Sequence, residues 1–311
     1  MTPVKPVGLG FALLGSSNAD PIPDAQARQM FDAAWDLGLR RFDTAPLYGG
    51  RQSEERLGQL LQGRPRDSYV LSTKVGRYRD YAVEVVNPKD NPGDWHDYSR
   101  ESTLRSVEQS LKLLGTDRLD IVFVHDCDKH LPEALSGALP ALAELKAQGV
   151  IGALGCGSNV AATHHALLRE TDLDVLMVAG RFTLLDQSAD DDLFPLCLAR
   201  GVQVELAAPF NSGILATGPD VDETRFDYQP PDAALRDRVR AIQSACHAEG
   251  VPLKRAALHY AAAHPAVTRL VLGLIHPEGL RSNLADLSAP VPHTLWTALE
   301  TLNIRNPKAT A

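Results

Sequence analysis

Short apolar runs alternate along the chain with longer segments whose apolar residues recur every three or four positions. The runs predict buried strands, and the periodic segments predict amphipathic helices. Eight strands are predicted in this way: Val7–Leu14, Arg41–Thr44, Tyr69–Lys74, Leu119–His125, Ile151–Gly155, Val175–Ala179, Val202–Ala207 and Leu270–Leu274. The helices predicted after them are Pro23–Leu37, Glu54–Leu61, Glu101–Leu114, Leu131–Gln148, Ala161–Arg169, Asp191–Arg200, a doubled stretch over Asp232–His264, and Pro277–Asp286.

Eight consecutive strand-helix units favour one (β/α)8 TIM barrel domain spanning residues 1–311, although the pattern alone also allows an open, doubly wound sheet. Asp24 and Ser53 are predicted helix caps, and Gly38, Gly115 and Gly149 are predicted helix ends.

Two connections are long, and both follow strands. Tyr78–Arg100 is rich in Pro, Asp, Gly and aromatic residues, and Asn211–Pro231 has a similar turn-forming character. Because the loops after the strands of a barrel build its active site, we expect both segments to be lids or pocket walls.

Composition excludes several function classes. A formal charge of −8 argues against a nucleic-acid-binding protein and gives little attraction to anionic membranes. Four widely spaced cysteines without a metal-ligand pattern are expected to be reduced thiols, with no metal site and a cytoplasmic location. The stretch VGLGFALLG resembles a secretory hydrophobic region, but a buried first strand explains it better.

Polar side chains follow three of the predicted strands in a pattern that suggests chemistry. Asp43 ends the second strand, and Tyr48 comes five residues later. Lys74 ends the third strand, and His125 ends the fourth. Taken singly, each has an ordinary structural explanation: a strand-end cap, a packed aromatic, an ion-pair partner and a buried histidine. At the mouth of one barrel they would form a single titratable cluster.

Four motifs, FDTAPLYGG, STKVG, IVFVHD and GCGSN, occur in this order and resemble those of the aldo-keto reductase superfamily, from Gly8 to about Leu287. The resemblance implies that Tyr48 is the proton donor and acceptor, with Lys74 beside it and Asp43 as the partner of that lysine. It assigns His125 to orienting the substrate. A neighbouring ammonium is expected to bring the phenol pKa closer to working pH.

The resemblance also implies a nicotinamide site. Ser158 and Asn159 match the residues that hold the carboxamide, whose donors and acceptor suit a hydroxyl and an amide. Phosphate binding is expected in the loop after the seventh strand, through Ser212, Gly213 and Leu215. Asn283 matches the adenine contact.

Three positions depart from the family pattern. Ala179 stands where the family has a glutamine that contacts the carboxamide, with Arg181 as a polar substitute. Ala207 stands where an aromatic residue stacks on the nicotinamide. Gly279 replaces the arginine that binds the NADP 2′-phosphate, which favours NAD, while Arg281 offers an alternative anchor that keeps NADP open.

The segments AGRFTLLDQ, LAAPFNSGILATG and FDYQPP resemble one branch of the family, that of the aldose 1-dehydrogenases and pyridoxal 4-dehydrogenases. The branch implies oxidation of an aldose hemiacetal at C1, of the L-fucose, L-galactose or D-arabinose type, to an aldonolactone. Pyridoxal oxidation or general aldehyde reduction is the alternative. Trp95 and Tyr98 are candidates for stacking on a sugar face, and surface packing explains them equally well.

Two other classes of protein share part of this pattern. A nicotinamide-binding regulatory subunit would share the fold, but all four catalytic positions are intact here. An unrelated phosphate-binding barrel lyase or isomerase would need neither the GSN segment nor the four polar residues. We therefore expect an enzyme acting on a small sugar or aldehyde, as a monomer or homodimer, without nucleic-acid or membrane partners.

Overall fold

The computed structural model describes residues 5–15, 22–79, 94–273 and 276–307. Its strands are β1 (Val7–Gly10), β2 (Arg41–Asp43), β3 (Val70–Val75), β4 (Arg77–Arg79), β5 (Asp94–His96), β6 (Leu119–His125), β7 (Ile151–Ser158), β8 (Val175–Ala179), β9 (Gln203–Ala207) and β10 (Val267–Gly273). Eight of them close a barrel in the order β1, β2, β3, β6, β7, β8, β9, β10, in which every neighbouring pair is parallel. The predicted (β/α)8 barrel is therefore confirmed.

Helices surround this barrel. In the described part of the chain they are α1 (Asp24–Asp36), α2 (Gln52–Leu61), α3 (Arg100–Leu114), α4 (Leu131–Glu133), α5 (Leu139–Ala147), α6 (Ala161–Glu170), α7 (Ser188–Asp191), α8 (Leu193–Arg200), α9 (Ile214–Thr217), α10 (Ala233–Ala248), α11 (Leu253–Ala263), α12 (Pro277–Ser288) and α13 (His293–Glu300). None of these helices is long and apolar enough to cross a membrane.

The main hydrophobic core lies between the barrel and its helices, and it joins residues from β1 to α13 in one cluster. The barrel interior holds a small apolar cluster of Phe123, Val175, Met177 and Val271. An ion pair also lies there: Arg41 Nε and Nη2 donate to the two carboxylate oxygens of Glu205 at 2.8 and 2.6 Å. Because both charged groups are buried, each compensates the charge of the other.

Several predicted boundaries were wrong. The first strand ends at Gly10, and Ala12–Leu14 forms a 3-10 turn, because a short apolar run cannot distinguish a strand from a buried helical turn. The predicted strand over Leu270–Leu274 begins earlier, at Val267, and Leu274 lies outside the described residues. Helix α13 and the β4–β5 hairpin were not predicted. The two strands of the hairpin have three residues each, which is too short to show a period.

Both predicted N-caps were also wrong. Asp24 is the first residue of α1 and makes no side-chain cap. Ser53 lies inside α2, where its hydroxyl donates to the Phe11 carbonyl at 2.8 Å. The predicted helix ends are confirmed: Gly38, Gly115 and Gly149 all have positive φ values, of 82°, 65° and 76°. Those angles lie in the left-handed region that glycine adopts readily.

Of the two predicted lids, the first contains the β4–β5 hairpin, in which Tyr78 pairs with Trp95, and its residues 80–93 lie outside the described chain. The second carries a 3-10 turn over Asn211–Gly213, the short helix α9, and a hairpin turn closed by Phe226 and Gln229. Both segments start at the carboxyl ends of barrel strands, where the active site of such a barrel lies.

Candidate active site

A buried lysine–aspartate pair lies at the carboxyl ends of β2 and β3. Lys74 Nζ donates to Asp43 Oδ2 at 2.6 Å and to the Thr44 carbonyl at 2.9 Å. Ser72 donates to the other carboxylate oxygen of Asp43 at 2.5 Å. Burial lowers the pKa of Lys74, but Asp43 and Tyr48 outweigh it, so the net pKa is raised. The pair is therefore a fixed ammonium and carboxylate.

Tyr48 lies above this pair, in the turn after β2, and Lys74 Nζ is 4.9 Å from the centre of its ring. Part of the residue is open to the mouth, yet surrounding protein desolvates the hydroxyl. That desolvation raises the pKa of Tyr48 to about 12, against the lowering effect of Lys74. Lys74 lowers the pKa of the phenol as expected. The expected net shift of that pKa towards neutral pH is wrong, because the effect of burial is larger. With that pKa the phenol is protonated at pH 7.

His125 faces Tyr48 across the mouth, with the two rings edge-on at 86° and their centres 5.9 Å apart. Burial lowers the pKa of His125 well below its usual range, and the positive charges of Lys74 and Arg77 add to the effect. The imidazole is therefore neutral. Its Nδ1 is buried and has no hydrogen-bond partner among the described residues. A neutral ring beside a phenol is suited to orienting a substrate oxygen.

Tyr98 supports the strand that ends in His125. Its hydroxyl donates to the His125 carbonyl at 2.7 Å and to the Asp126 carbonyl at 3.0 Å. The residue is 2% exposed, and its ring packs so closely on Gly76 that a Cβ there would lie 2.1 Å from a ring carbon. This placement gives Tyr98 no open face for stacking on a sugar, so its hydroxyl holds the active-site backbone instead.

Trp95 is 48% exposed and stacks on Tyr78 across the hairpin, with ring centres 4.3 Å apart. One face of the indole is thus occupied by Tyr78. Its exposure keeps the predicted sugar contact open, and the structure places it on the hairpin that follows β3.

The two residues predicted to hold the carboxamide lie at the end of β7. The Ser158 hydroxyl donates to Asp128 at 2.7 Å and accepts from the Val160 amide at 2.9 Å. The Asn159 carbonyl accepts a hydrogen bond from Arg181 Nε at 2.5 Å. Arg181 therefore reaches the predicted carboxamide site through the Asn159 backbone, and a direct contact with the nicotinamide stays a prediction.

The predicted phosphate loop contains a run of left-handed residues, with φ values of 46° at Asn211, 59° at Ser212 and 111° at Gly213. Such a backbone turns successive amides towards one side, as anion-binding loops do. The amides of Gly213 and Leu215 already donate to the Phe210 carbonyl, at 3.0 and 3.2 Å. The Leu215 side chain is buried in the core.

Arg281 and Asn283 lie in the first seven residues of α12, the helix that follows β10, and β10 pairs with the strand β9 that precedes the predicted phosphate loop. Arg281 is exposed, and its guanidinium is 3.9 Å from Glu278. Asn283 is 3% exposed.

Comparison with known proteins decides the family. Residues 6–304 match the family model described as the aldo/keto reductase family. The chain belongs to this family. It is 37% identical to a D-threo-aldose 1-dehydrogenase from a Pseudomonas species and 36% identical to a pyridoxal 4-dehydrogenase from Microbacterium luteolum. Each alignment covers 95% of this chain and 93% of the relative.

A solved aldo-keto reductase from Bacillus halodurans, in its holo form, superposes with a TM-score of 0.76. That protein is 26% identical, and the match covers 96% of this chain and 92% of its own. The protein is an aldo-keto reductase oxidoreductase, a family that uses NAD(P)H. The resemblance seen in the sequence, including its branch, is confirmed.

Two departures from the aldo-keto reductase pattern are neighbours. Ala179 and Ala207 pair with each other at the carboxyl ends of β8 and β9. Neither alanine side chain can supply a hydrogen bond or a stacking ring, so this side of the predicted nicotinamide site is without the side-chain groups that the family pattern has there. The two missing nicotinamide contacts thus lie side by side, whereas Gly279 lies in α12.

Asn211 lies beside this place and was not singled out from the sequence. Its amide Nδ2 donates to the Gly180 carbonyl at 3.1 Å, directly after Ala179. Its Oδ1 is buried without a hydrogen-bond partner in the described chain, and the residue is 2% exposed. Buried polar atoms are nearly always paired, so this acceptor suits the N–H of a bound amide. Only its position in a glycine-containing loop could have marked it in the sequence.

Proposed function

We propose that this aldo-keto reductase oxidises the C1 hemiacetal of an aldose, of the L-fucose, L-galactose or D-arabinose type, to the aldonolactone, with NAD preferred over NADP. The observation that carries the proposal is the Asp43–Lys74 pair beneath Tyr48, facing a neutral His125. The similarity to a D-threo-aldose 1-dehydrogenase over 95% of the chain supports the sugar.

The proposed roles follow from the geometry. His125 orients the C1 oxygen, and the phenolate form of Tyr48 takes the hydroxyl proton as the C1–H bond breaks and the C1=O bond forms. Lys74, held by Asp43, stabilises negative charge on the phenol oxygen. Bound NAD supplies the acceptor for the hydride that leaves C1. In the reverse direction, Tyr48 protonates a carbonyl oxygen.

The residues present fit a nicotinamide cofactor. The side chains of Ser158 and Asn159, with the unpartnered Oδ1 of Asn211, provide a hydroxyl, an amide and an acceptor for the carboxamide. The left-handed turn containing Ser212 and Gly213 would hold the pyrophosphate. Asn283 would bind the adenine.

The NAD preference rests on the start of α12. Gly279 has no side chain to bind a 2′-phosphate, and the neighbouring Glu278 is negative and exposed. A carboxylate near the ribose repels the 2′-phosphate of NADP. Arg281 pairs with Glu278 at 3.9 Å, which leaves part of its charge compensated.

A second candidate substrate is pyridoxal, favoured by the 36% identity to a pyridoxal 4-dehydrogenase over the same share of the chain. General aldehyde reduction would use the same four residues. A regulatory subunit without turnover would not need the buried Asp43–Lys74 pair, whose desolvation is costly.

The test is a screen by absorbance at 340 nm, with L-fucose, L-galactose, D-arabinose and pyridoxal against NAD and NADP. We expect the highest kcat/KM with one of the aldoses and NAD, and a Gly279→Arg variant should shift the preference towards NADP. Fastest turnover of pyridoxal would assign the second candidate instead. No reduction of either cofactor by any of the four compounds would refute dehydrogenase function.

A further inference from the structure

A two-residue turn in the second lid has an unusual composition. Phe226 and Gln229 exchange both backbone hydrogen bonds at 2.9 Å, which closes a hairpin around Asp227 and Tyr228. Both central residues have positive φ values, of 48° and 65°. A turn with two left-handed residues is usually formed by Asn-Gly, because a side chain such as tyrosine is strained there. A tyrosine thus occupies a backbone position that glycine would adopt with less strain.

The turn is fastened to the rest of the site. Arg181 Nη2 donates to Asp227 Oδ2 at 2.9 Å, and the Tyr228 amide donates to the Ser212 hydroxyl at 3.1 Å. Arg181 is itself fixed by the Asn159 carbonyl and by Asp186, at 2.5 and 2.9 Å. The loops after β7, β8 and β9 therefore meet at this guanidinium, and they determine where Tyr228 lies.

Tyr228 is 60% exposed, the largest value among the exposed large hydrophobic residues of the described chain. Its hydroxyl nevertheless lies close to protein. Desolvation raises the pKa of that hydroxyl, Asp126 raises it further, and Arg77 lowers it. Tyr228 is also one of the groups whose charge raises the pKa of Tyr48. Tyr228 and Tyr48 thus influence each other electrostatically, and the contacts with Ser212 and Arg181 hold the Tyr228 turn at the carboxyl ends of the strands, where the ion pair of Arg77 and Asp126 also lies.

Strain at a position that is exposed and directed at reacting groups is typical of function rather than of folding. We propose that Tyr228 is a substrate-recognition residue: its ring forms one wall of the substrate site, and its hydroxyl hydrogen-bonds a ring hydroxyl of a polyhydroxylated substrate. Asp227 and Arg181 are positioning residues that hold it there. The proposal rests on the proposed sugar substrate for the hydroxyl contact, and on the family's carbonyl chemistry for the wall.

The test compares KM for L-fucose oxidation and for benzaldehyde reduction, an aldehyde without hydroxyl groups. Tyr228→Gly is expected to raise both KM values about tenfold, because the wall is lost. Tyr228→Phe keeps the wall, so it should raise only the L-fucose KM, by roughly threefold to tenfold. The matched control is Val221→Ala, an exposed apolar residue of the same lid, with both KM values unchanged.

Stability separates recognition from folding. Tyr228→Gly should leave Tm unchanged or raise it, because glycine relieves the left-handed strain. NAD affinity, measured by fluorescence titration, should stay within about twofold of the unmodified protein. A Tyr228→Gly variant with both KM values unchanged would overturn the proposal, and so would a fall in its Tm that accounts for the lost activity.

Asp227→Asn tests the positioning. Asparagine is favoured at this turn position, so the turn should persist while the ion pair with Arg181 is lost. We expect Asp227→Asn to raise the KM for L-fucose and to keep kcat within about twofold of the unmodified enzyme. The combined Asp227→Asn/Tyr228→Phe variant should have a KM for L-fucose no higher than the higher of the two single-variant values. Additive effects would contradict action through Tyr228.

The two proposals can fail separately. If L-fucose is not oxidised but benzaldehyde is reduced, the proposed sugar is wrong, and the Tyr228→Gly effect on benzaldehyde still tests the wall. If L-fucose is oxidised with unchanged KM in every Tyr228 variant, only the recognition role is wrong.

Discussion

Lys74 Nζ lies 4.9 Å from the centre of the Tyr48 ring, while two of its hydrogen bonds go to Asp43 and the Thr44 carbonyl. The ammonium is thus fixed below the phenol and cannot move away from it without leaving a buried carboxylate unpaired. This arrangement supports a phenol that exchanges a proton with substrate.

The Asp43–Lys74 pair is expected to be required both for stability and for turnover. Lys74→Met leaves the Asp43 carboxylate buried and unpaired, so we expect about 3–5 kcal/mol lower free energy of unfolding and at least a hundredfold lower kcat. Adding Asp43→Asn should recover part of the stability and none of the activity. Urea unfolding and initial rates measure the two effects.

The matched control is Lys146→Met, since Lys146 pairs with Asp174 at 2.6 Å with both side chains more than a third exposed. That variant should lose less than about 1 kcal/mol. Equal losses in the two lysine variants would contradict the buried-pair interpretation.

The pH dependence of the two directions should differ. With a pKa of about 12, Tyr48 is protonated at neutral pH, as carbonyl reduction requires. Oxidation requires the phenolate, whose fraction rises about tenfold per pH unit below the pKa. We therefore expect kcat/KM for aldose oxidation to rise from pH 7 to 9, and that for reduction to stay flat or fall. The positively charged nicotinamide ring of bound NAD would lower the midpoint of the pH profile without changing the direction of the dependence. A kcat/KM for aldose oxidation that stays constant from pH 7 to 9 would argue against Tyr48 as the base.

His125 should make stability depend on pH. Its folded pKa is lowered well below the usual value, so the unfolded chain binds a proton first as the pH falls. The free energy of unfolding should then decrease below about pH 6.5, by about 1.4 kcal/mol per pH unit for this group. His125→Asn should reduce the slope between pH 6.5 and 5, and the exposed His247→Asn is the control. An unchanged slope in His125→Asn would mean that the imidazole is not kept neutral by burial.

Asn211 is expected to accept a hydrogen bond from the nicotinamide carboxamide. Asn211→Gly keeps the left-handed backbone and removes the acceptor, so we expect a roughly threefold to tenfold higher Kd for NAD. The Kd for 3-acetylpyridine adenine dinucleotide, which has no amide N–H, should not change. Asn303→Gly is the control, because Asn303 also has a left-handed φ, of 59°. An equal rise for both dinucleotides would mean that the effect comes from the loop backbone.

The sequence predicted the barrel because short apolar runs mark the strands and apolar residues at helical spacing mark the helices. The predicted bounds of Leu119–His125 and Val175–Ala179 agree with the structure. It also predicted that Asp43, Lys74, Tyr48 and His125 would meet, since the carboxyl ends of parallel strands share one face of a barrel. Their proximity in the structure follows from this topology.

Other features depend on tertiary contacts that no local pattern records. The sequence predicted that Lys74 lowers the pKa of Tyr48. Whether burial outweighs that effect depends on how the protein packs around the phenol. Tyr98 was predicted either to stack on a sugar face or to pack on the surface, and it is buried because Gly76 leaves room for its ring. Asn211 and Tyr228 gain their meaning from the partners Gly180 and Ser212, which are distant in sequence.

The central claim is that the Tyr48 hydroxyl exchanges the substrate proton. The most direct measurement compares Tyr48→Phe with the unmodified enzyme by turnover at 340 nm and by NADH affinity from fluorescence titration. We predict that kcat falls by at least about a thousandfold while the Kd for NADH stays within about twofold. Turnover within tenfold of the unmodified enzyme would contradict the assignment of Tyr48 as the acid and base.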